Sequence, residues 1–425
     1  MSTDRWGIDD GYEDALGRWH ETPEATRSAL LAAMDLAAVG RRPPARASVR
    51  VLGPGQAIPL QGPAELKLED GTVLRLDTTV PPDLPLGYHE LLPLEGGASV
   101  NLIVSPGRCY LPANRSLWGW SAQLYALRSE GSWGIGDLAD LRRLARWSSQ
   151  EVGAGILLIN PLHAATPIPP QQASPYFPSS RLYRNPLYLH IEDVPGATEA
   201  GTALDRLAKA GQALNRERHI DRDAIAGLKM QALERLWSRF PGDPVFERYC
   251  AEQGEDLRQF AAFCVLAEHY GRRWRDWPEA YRRPDAPAVA RFATECADRT
   301  RFHQWLQWLL DVQLSRAAAE LPLMQDLPIG VDPDGADAWV WQDLLATDVT
   351  VGVPPDEYNT LGQDWRLPPF VPQKLRAASC RIACYGSKLN RQPATLSWPW
   401  RPLPPMTCRR SPASGTVPTC RANLI

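Results

Sequence analysis

The sequence predicts an α/β protein in which a small β-sandwich precedes a larger domain built on a parallel sheet. Two observations lead to this prediction. Short runs of alternating apolar and polar residues fill residues 47–110, as expected of strands with one buried face. From about residue 111, apolar strands alternate with amphipathic helices, which is typical of a parallel sheet covered on both faces.

Length and composition exclude several classes of function. The chain has 425 residues and a formal net charge of -3, which predicts a large domain with one or two smaller ones and no nucleic-acid partner. The polar, acidic start and the lack of a long apolar run predict neither a signal peptide nor a membrane span. The cysteines and histidines have no metal-ligand spacing, so we expect no metal and a reducing, cytoplasmic location.

The first two segments are read from local signals. Residues 1–46 predict an N-terminal helical segment, with a helix that starts near Thr22 and Pro23 and ends at Gly40. Within 47–110, Asp70 and Gly71 separate two alternating runs, which is a strong hairpin signal. This sandwich is either a binding module or an appendage that packs on the main domain.

The main domain, predicted over 111–378, begins with a strand at 121–127 and a helix that starts at Asp137, whose carboxylate can cap the first turn. A buried strand follows at 155–161, and the chain is helical from about 197 to 320. The turn Gly134-Ile-Gly136-Asp137 formally resembles a dinucleotide-binding motif. However, Asp137 would put a negative charge where that motif binds pyrophosphate, so we exclude a nucleotide site.

Polar and aromatic side chains concentrate between residues 324 and 365. An apolar strand predicted at 321–331 contains Asp326, and a carboxylate there is costly unless it is paired. Such groups suit a sugar site, because hydroxyls need polar partners and ring faces need a flat surface, although the acids, prolines and glycines also fit plain turns. The candidates after the strand are Asp332, Asp334, Asp337, Trp339, Asp356, Tyr358, Gln363 and Trp365.

A proline-rich loop upstream adds one more candidate, Tyr176. Prolines pre-order such a loop, so the tyrosine can be held outward at little entropic cost. Tyr176 is therefore either a stacking platform for a sugar ring or a cover for the rim of the domain.

Several ordered motifs resemble the 4-alpha-glucanotransferases, also called amylomaltases. They are Ser174-Pro-Tyr176, Ser179-Ser-Arg181, Asn185-Pro-Leu-Tyr188, Asp326-Leu-Pro, Asp334-Gly-Ala-Asp337-Ala-Trp339, and Gly352-Val-Pro-Pro-Asp356 followed by Gly362-Gln363 and Trp365. The resemblance implies an incomplete (β/α)8 TIM-type barrel, made of about its first three strands with a helical insertion at about 197–320, and Asp326 on the third strand.

The same resemblance implies an activity and a site. The family moves α-1,4-glucan segments between maltooligosaccharides by a retaining double displacement, without metal or organic cofactor. It implies a supporting role for Asp326 and substrate binding by Tyr176, Asp356, Tyr358, Gln363 and Trp365. The expected partners are α-1,4-glucans and maltooligosaccharides, with neither nucleic acid nor membrane.

The resemblance covers about residues 1–378. The family's nucleophilic Asp and acid/base Glu belong to later motifs that this sequence does not contain, so no catalytic residue is assigned and Asp326 is expected to lack its usual Arg partner. Residues 379–425 have no acid and are rich in Arg, Pro and Cys, which predicts an aberrant, disordered tail such as a truncation or shifted reading frame would produce. The alternatives are a transferase inactive as given, a non-catalytic glucan-binding protein, and an unstable truncated product.

Overall fold

The computed structural model describes residues 4, 6–34, 48–107, 117–371 and 374–375 of a mixed α/β protein. Gly40 and the tail predicted at 379–425 lie outside these residues. In the described part of the chain, no helix combines the length and the apolar character needed to cross a bilayer.

The N-terminal segment is not only helical, contrary to the prediction. It starts with an antiparallel hairpin of β1 (Gly11–Glu13) and β2 (Trp19–Glu21), followed by helix α1 (Glu24–Ala33). Pro23 occupies the N-cap of α1, as predicted. The hairpin was missed because each strand has only three residues, too few for an alternating pattern to be distinct.

The next region is a β-structure with its own core. A five-stranded sheet has the order β3-β9-β8-β5-β6, and β4 pairs with β7 in a separate ribbon. The Asp70-Gly71 turn joins β5 to β6 antiparallel, which confirms the predicted hairpin. Leu66, Leu102 and Val80 from both parts are buried together. The strands are β3 (Ser48–Leu52), β4 (Ile58–Pro59), β5 (Ala64–Lys67), β6 (Val73–Leu76), β7 (Thr79–Val80), β8 (Gly87–Pro93) and β9 (Val100–Val104).

The candidate site rests on a three-stranded parallel sheet with the order β10-β11-β14. Helix α2 separates the first two strands, and a helical region separates the second from the third. The predicted parallel arrangement is therefore confirmed. The elements are β10 (Gly119–Ala122), α2 (Leu138–Gln150), β11 (Ile156–Ile159) and, further along the chain, β14 (Leu323–Gln325).

Two of these strands are shorter than predicted. β10 ends at Ala122 because the backbone N–H of Leu124 donates to the side chain of Asn160 at 2.6 Å, and residues Leu124–Ala126 turn into a 3-10 helix. β14 ends at Gln325, so Asp326 follows the strand rather than interrupting it. The Asp326 carboxylate then accepts the next backbone N–H, from Leu327, which takes that group away from any ladder.

Between β11 and β14 the chain first forms a two-stranded ribbon and then the predicted helical region. Leu257, Phe260 and Cys264 are buried on one face, as their spacing predicted. Gly254 has a left-handed φ of 62° and kinks α5. The elements are β12 (His163–Ala164), β13 (Ser180–Arg184), α3 (Thr202–Ala213), α4 (Arg222–Trp237), α5 (Pro244–Tyr270), α6 (Pro287–Glu295) and α7 (Ala297–Ala318).

Charged groups inside this helical region have partners. The Lys229 ammonium is fully buried and donates to the carbonyls of Leu187 and Leu189, both at 2.7 Å. Glu268 bonds Arg299 and His303 across α5 and α7. These bonds offset the cost of taking charge out of water.

After β14 come a short helix and a last hairpin. These are α8 (Ala336–Val340), β15 (Val351–Val353) and β16 (Gln363–Leu367). Trp339 of α8 is fully buried against Phe263 and Trp277 of the helical region. The base of the hairpin is tied to the preceding loop, because Leu367 lies against Gly330 and Phe370 pairs with Leu345.

Candidate functional site

The centre of the candidate site is a hydrogen bond between Tyr176 and Asp326. Asp326 lies at the C-terminal edge of the parallel sheet, where its backbone N–H donates to the carbonyl of Ile159 at 2.9 Å. The Tyr176 hydroxyl donates to Asp326 Oδ2 at 2.7 Å. The expectation that Asp326 has no partner is therefore wrong. The residue that pairs with it comes from the proline-rich loop, not from a later strand.

This bond fixes an aromatic ring at the surface. The Tyr176 side chain is 46% exposed although its hydroxyl is held. The hydrogen bond to Asp326, together with burial, raises the pKa of Tyr176 to about 12. The hydroxyl therefore stays protonated at neutral pH and keeps donating, which leaves the ring face oriented and open.

The Ser-Ser-Arg motif and the Asp337 motif are hydrogen-bonded to each other and form the joint between β13 and α8. The backbone N–H of Arg181 donates to Asp337 Oδ2 at 2.7 Å, and the Ser179 hydroxyl accepts from the N–H of Ala336 at 2.9 Å. Burial raises the pKa of Asp337 to about 6, against the lowering effect of bonds from Ser180 and Arg181. Asp337 therefore has a structural role: it locks β13 onto α8.

Asp332 and Asp334 are held by arginines of the helical region. Asp332 Oδ2 lies 3.0 Å from Arg272 Nη2, and Asp334 Oδ1 lies 3.0 Å from Arg275 Nη1. Asp332 Oδ1 also accepts the backbone N–H of Asp334. Burial and the neighbouring Asp332 raise the pKa of Asp334. Both acids position the loop and present no open carboxylate.

The remaining predicted binding residues belong to the β15–β16 hairpin. Asp356 is a turn residue, since its Oδ1 accepts the N–H groups of Tyr358 and Asn359. Tyr358 is 97% exposed. Gln363 is exposed and Trp365 is half-buried, both on β16. The plain turn reading thus holds for Asp356, whereas the aromatic groups are available to a ligand.

A small cavity of about 20 Å³, with room for roughly one water molecule, lies behind the Tyr176 loop, and its lining includes a residue that sequence reasoning missed. His163 is the first residue of β12, and its buried Nδ1 has no hydrogen-bond partner in the described part of the chain. Burial, and then the charges of Arg184 and Arg181, lower its pKa to about 3. A neutral imidazole with an open nitrogen can bond a hydroxyl. Its position just after a buried strand was the available signal.

The Gly134–Asp137 turn is tightly packed against the rest of the domain. Asp137 caps α2 by accepting from Ala139 and Asp140, and its other oxygen lies 2.9 Å from His190 Nδ1. Although burial opposes ionisation, the His190 bond holds the pKa of Asp137 below its usual value. A Cβ on Gly136 would lie 2.1 Å from the Leu124 carbonyl oxygen. The glycines at this turn therefore serve close packing.

No cluster of three or more His, Cys, Asp or Glu side chains that could hold a metal ion is found in the ranges that the structure describes. The candidate residues instead provide an oriented tyrosine, paired carboxylates, a neutral imidazole and exposed aromatic rings. These are hydrogen-bonding and stacking groups.

Comparison with known proteins adds a family. The 4-alpha-glucanotransferase model of glycoside hydrolase family 77 matches residues 122–384. A 4-alpha-glucanotransferase of Mycobacterium tuberculosis (strain H37Rv) is 40% identical, with 87% of this chain and 60% of that protein covered. That of Haemophilus influenzae is 33% identical over 70% of this chain and 47% of its own length.

A solved structure agrees in both fold and sequence. The crystal structure of amylomaltase from Corynebacterium glutamicum has a TM-score of 0.71 and 29% identity, and the match covers 90% of this chain and 62% of that one. The chain thus spans about 60% of the length of the most similar of these proteins.

Proposed function

Since this chain belongs to the 4-alpha-glucanotransferase family, as its motifs indicated, we propose that it takes part in the transfer of α-1,4-glucan segments between maltooligosaccharides. The observation that supports this most is the Tyr176 ring, oriented by Asp326 at the C-terminal edge of the parallel sheet. An exposed, fixed ring beside hydrogen-bonding groups suits a glucose unit.

We propose that β10, β11 and β14 are the first three strands of a TIM-type (β/α)8 barrel, with the helical region inserted between the second and third. Two facts support this. The strands are parallel and lie side by side in the sheet in the order in which they occur along the chain. Tyr176 and Asp326 meet at the C-terminal edge of these strands, where such barrels place their sites. The strands of residues 48–104 would form the preceding β-sandwich.

In this proposal Tyr176 stacks against a sugar ring and Asp326 holds it in place. Tyr358, Gln363 and Trp365 of the β15–β16 hairpin contribute a second wall, and Asp356 shapes its turn.

Four candidate carboxylates are engaged in contacts within the protein. Retaining transfer needs two carboxyl groups roughly 5 Å apart across the scissile bond. Asp332 and Asp334 are paired with arginines, Asp337 is buried in a joint, and Asp326 holds Tyr176. This engagement of the carboxylates favours a second candidate, an α-glucan-binding protein without turnover.

The compartment belongs to the same proposal. Cys250, Cys264 and Cys296 are free thiols, and unpaired cysteines are usual in reducing compartments. We therefore propose that the protein works in the cytoplasm.

Calorimetry with maltoheptaose tests the binding site. Tyr176→Ala should weaken binding roughly tenfold or more, the factor for about 1.4 kcal/mol, because the stacking surface is lost. Tyr176→Phe should weaken it less, since the ring remains but the bond to Asp326 does not. Tyr270→Phe is the matched control, because Tyr270 is a partly exposed tyrosine on α5.

A maltotriose disproportionation assay separates the two candidates. Release of glucose with longer products supports the transferase, whereas binding without products supports the second candidate. Absence of maltoheptaose binding, or equal binding by wild type and Tyr176→Ala, contradicts both.

A further inference from the structure

The N-terminal hairpin has a rigid turn. Asp14 is buried, and one of its oxygens accepts the backbone N–H groups of Leu16 and Arg18, both at 2.9 Å. Its other oxygen lies 2.9 Å from His20 Nε2. Tyr12 stacks on His20 with ring centroids 5.0 Å apart. The two short strands are thus held in one register.

On the opposite face, Trp19 lies against a glycine. Any Cβ on Gly11 would be 2.5 Å from Cζ2 and 2.8 Å from Cε2 of the indole, so only glycine allows this contact. Trp19 is nevertheless 47% exposed. The indole is therefore fixed by the backbone beneath it while much of its surface faces solvent.

Two carboxylates flank this indole. Glu13 pairs directly with Trp19 across the hairpin, and Glu21 pairs with Gly11. Directly opposed residues point to the same face, so Glu13, Trp19 and Glu21 share one surface. Both glutamates are exposed, and the ionised carboxylate of Glu21 can accept hydrogen bonds from hydroxyl groups.

We propose that the surface formed by Glu13, Trp19 and Glu21 is a second carbohydrate-binding site that holds an α-1,4-glucan chain at a place separate from Tyr176. An aromatic ring that is already immobilised binds at a low entropic cost, and it offers a flat surface to the apolar face of a glucose unit. The choice of α-glucan among carbohydrates rests on the proposed function.

Such a site gives the protein a preference for long chains. A polysaccharide held at the hairpin presents its other units at a high effective concentration, so the second contact becomes intramolecular. Maltotriose is too short to gain from this, whereas glycogen and soluble starch gain most.

The other exposed tryptophans of the described residues have a different setting. Trp118, Trp120 and Trp147 pack on one another, with centroid distances of 5.5 Å and 6.3 Å. Trp118 and Trp120 lie at β10, the edge strand of the parallel sheet, and Trp147 lies beside them on α2. Their exposure follows from that open edge. Trp147 is also 47% exposed, which makes Trp147→Ala a matched control for Trp19→Ala.

Native gel electrophoresis of the full chain in gels containing glycogen tests the proposal. The dissociation constant from retardation should rise roughly tenfold in Trp19→Ala, as for an aromatic anchor worth about 1.4 kcal/mol, and Trp19→Phe should recover part of the affinity. Trp147→Ala should migrate as wild type does. Circular dichroism and urea midpoints check that each variant is folded.

The Tyr176→Ala variant separates this proposal from the proposed function. If Trp19→Ala loses glycogen retardation but keeps maltoheptaose binding, the hairpin site is supported. If retardation is unchanged in Trp19→Ala, or is lost equally in Trp147→Ala, the hairpin proposal is wrong. If Trp19→Ala loses retardation while Tyr176→Ala changes neither glycogen nor maltoheptaose binding, the hairpin site stands and the assignment of Tyr176 as a binding residue fails.

Discussion

Replacing Asp337 by asparagine should remove a pH dependence of folding stability from the joint between β13 and α8. Asp337 is 3% exposed and accepts the backbone N–H of Arg181. Burial raises its pKa from 3.8 to about 6. The folded protein therefore keeps a proton on Asp337 over a pH range in which the unfolded chain has already released it.

The direction and the size of this pH effect follow from the coupling between protonation and folding. The contribution of Asp337 to stability is fully present below pH 3.8 and is lost as pH rises through about 6. A shift of this size corresponds to roughly 3 kcal/mol, at about 1.4 kcal/mol per unit of pKa. Asparagine cannot ionise and still offers an oxygen to the backbone N–H of Arg181. The stability of Asp337→Asn should therefore not fall as pH rises from 3.8 to about 6.

Urea unfolding at pH 4 and pH 7 measures the effect. When the pH rises from 4 to 7, wild type should lose up to roughly 3 kcal/mol of unfolding free energy relative to Asp337→Asn. Asp337→Ala should instead lose about 1–3 kcal/mol even at pH 4, because the Arg181 N–H is left without its acceptor. Asp205→Asn, at an exposed position of α3, serves as the control.

A difference between wild type and Asp337→Asn that stays constant from pH 4 to pH 7 would refute this reasoning. It would mean that Asp337 ionises in the folded protein as easily as in the unfolded chain.

Two further predictions concern the helical region. Lys229→Met should lower the free energy of unfolding by about 2 kcal/mol or more, because two buried carbonyls lose their donor, whereas Lys209→Met at an exposed position should have little effect; thermal unfolding of both variants checks this. Burial raises the pKa of Glu268, but bonds from His303 and Arg299 outweigh it and hold the pKa at about 2. Its stabilising effect is thus present above pH 4.5 and lost as pH falls towards 2, so the advantage of wild type over Glu268→Gln in acid titrations should disappear in that range, and an advantage that persists at pH 2 would contradict it.

Much of the candidate site could be predicted, because the resemblance depends on short motifs that stay together. Tyr176 and Asp326 were identified separately in this way. The sequence did not reveal that they bond to each other, and it led to the wrong expectation that Asp326 is unpaired. Asp356 shows the opposite case: its turn chemistry is visible in the sequence and is what the structure uses.

The sequence by itself determined the features that depend on residues a few positions apart. The Asp137 cap, the Asp70-Gly71 hairpin and the buried face of α5 are of this kind. The reason is that caps, tight turns and helix faces are set by local backbone geometry.

Only the tertiary structure decided which distant groups meet. Tyr176 and Asp326 are 150 positions apart, and Arg181 and Asp337 are 156 apart. Whether a carboxylate there is buried, paired or open depends on which strand and loop lie beside it, and no local pattern encodes that choice. The same holds for Trp19 on Gly11, where the absence of a Cβ has meaning only once the facing strand is in place.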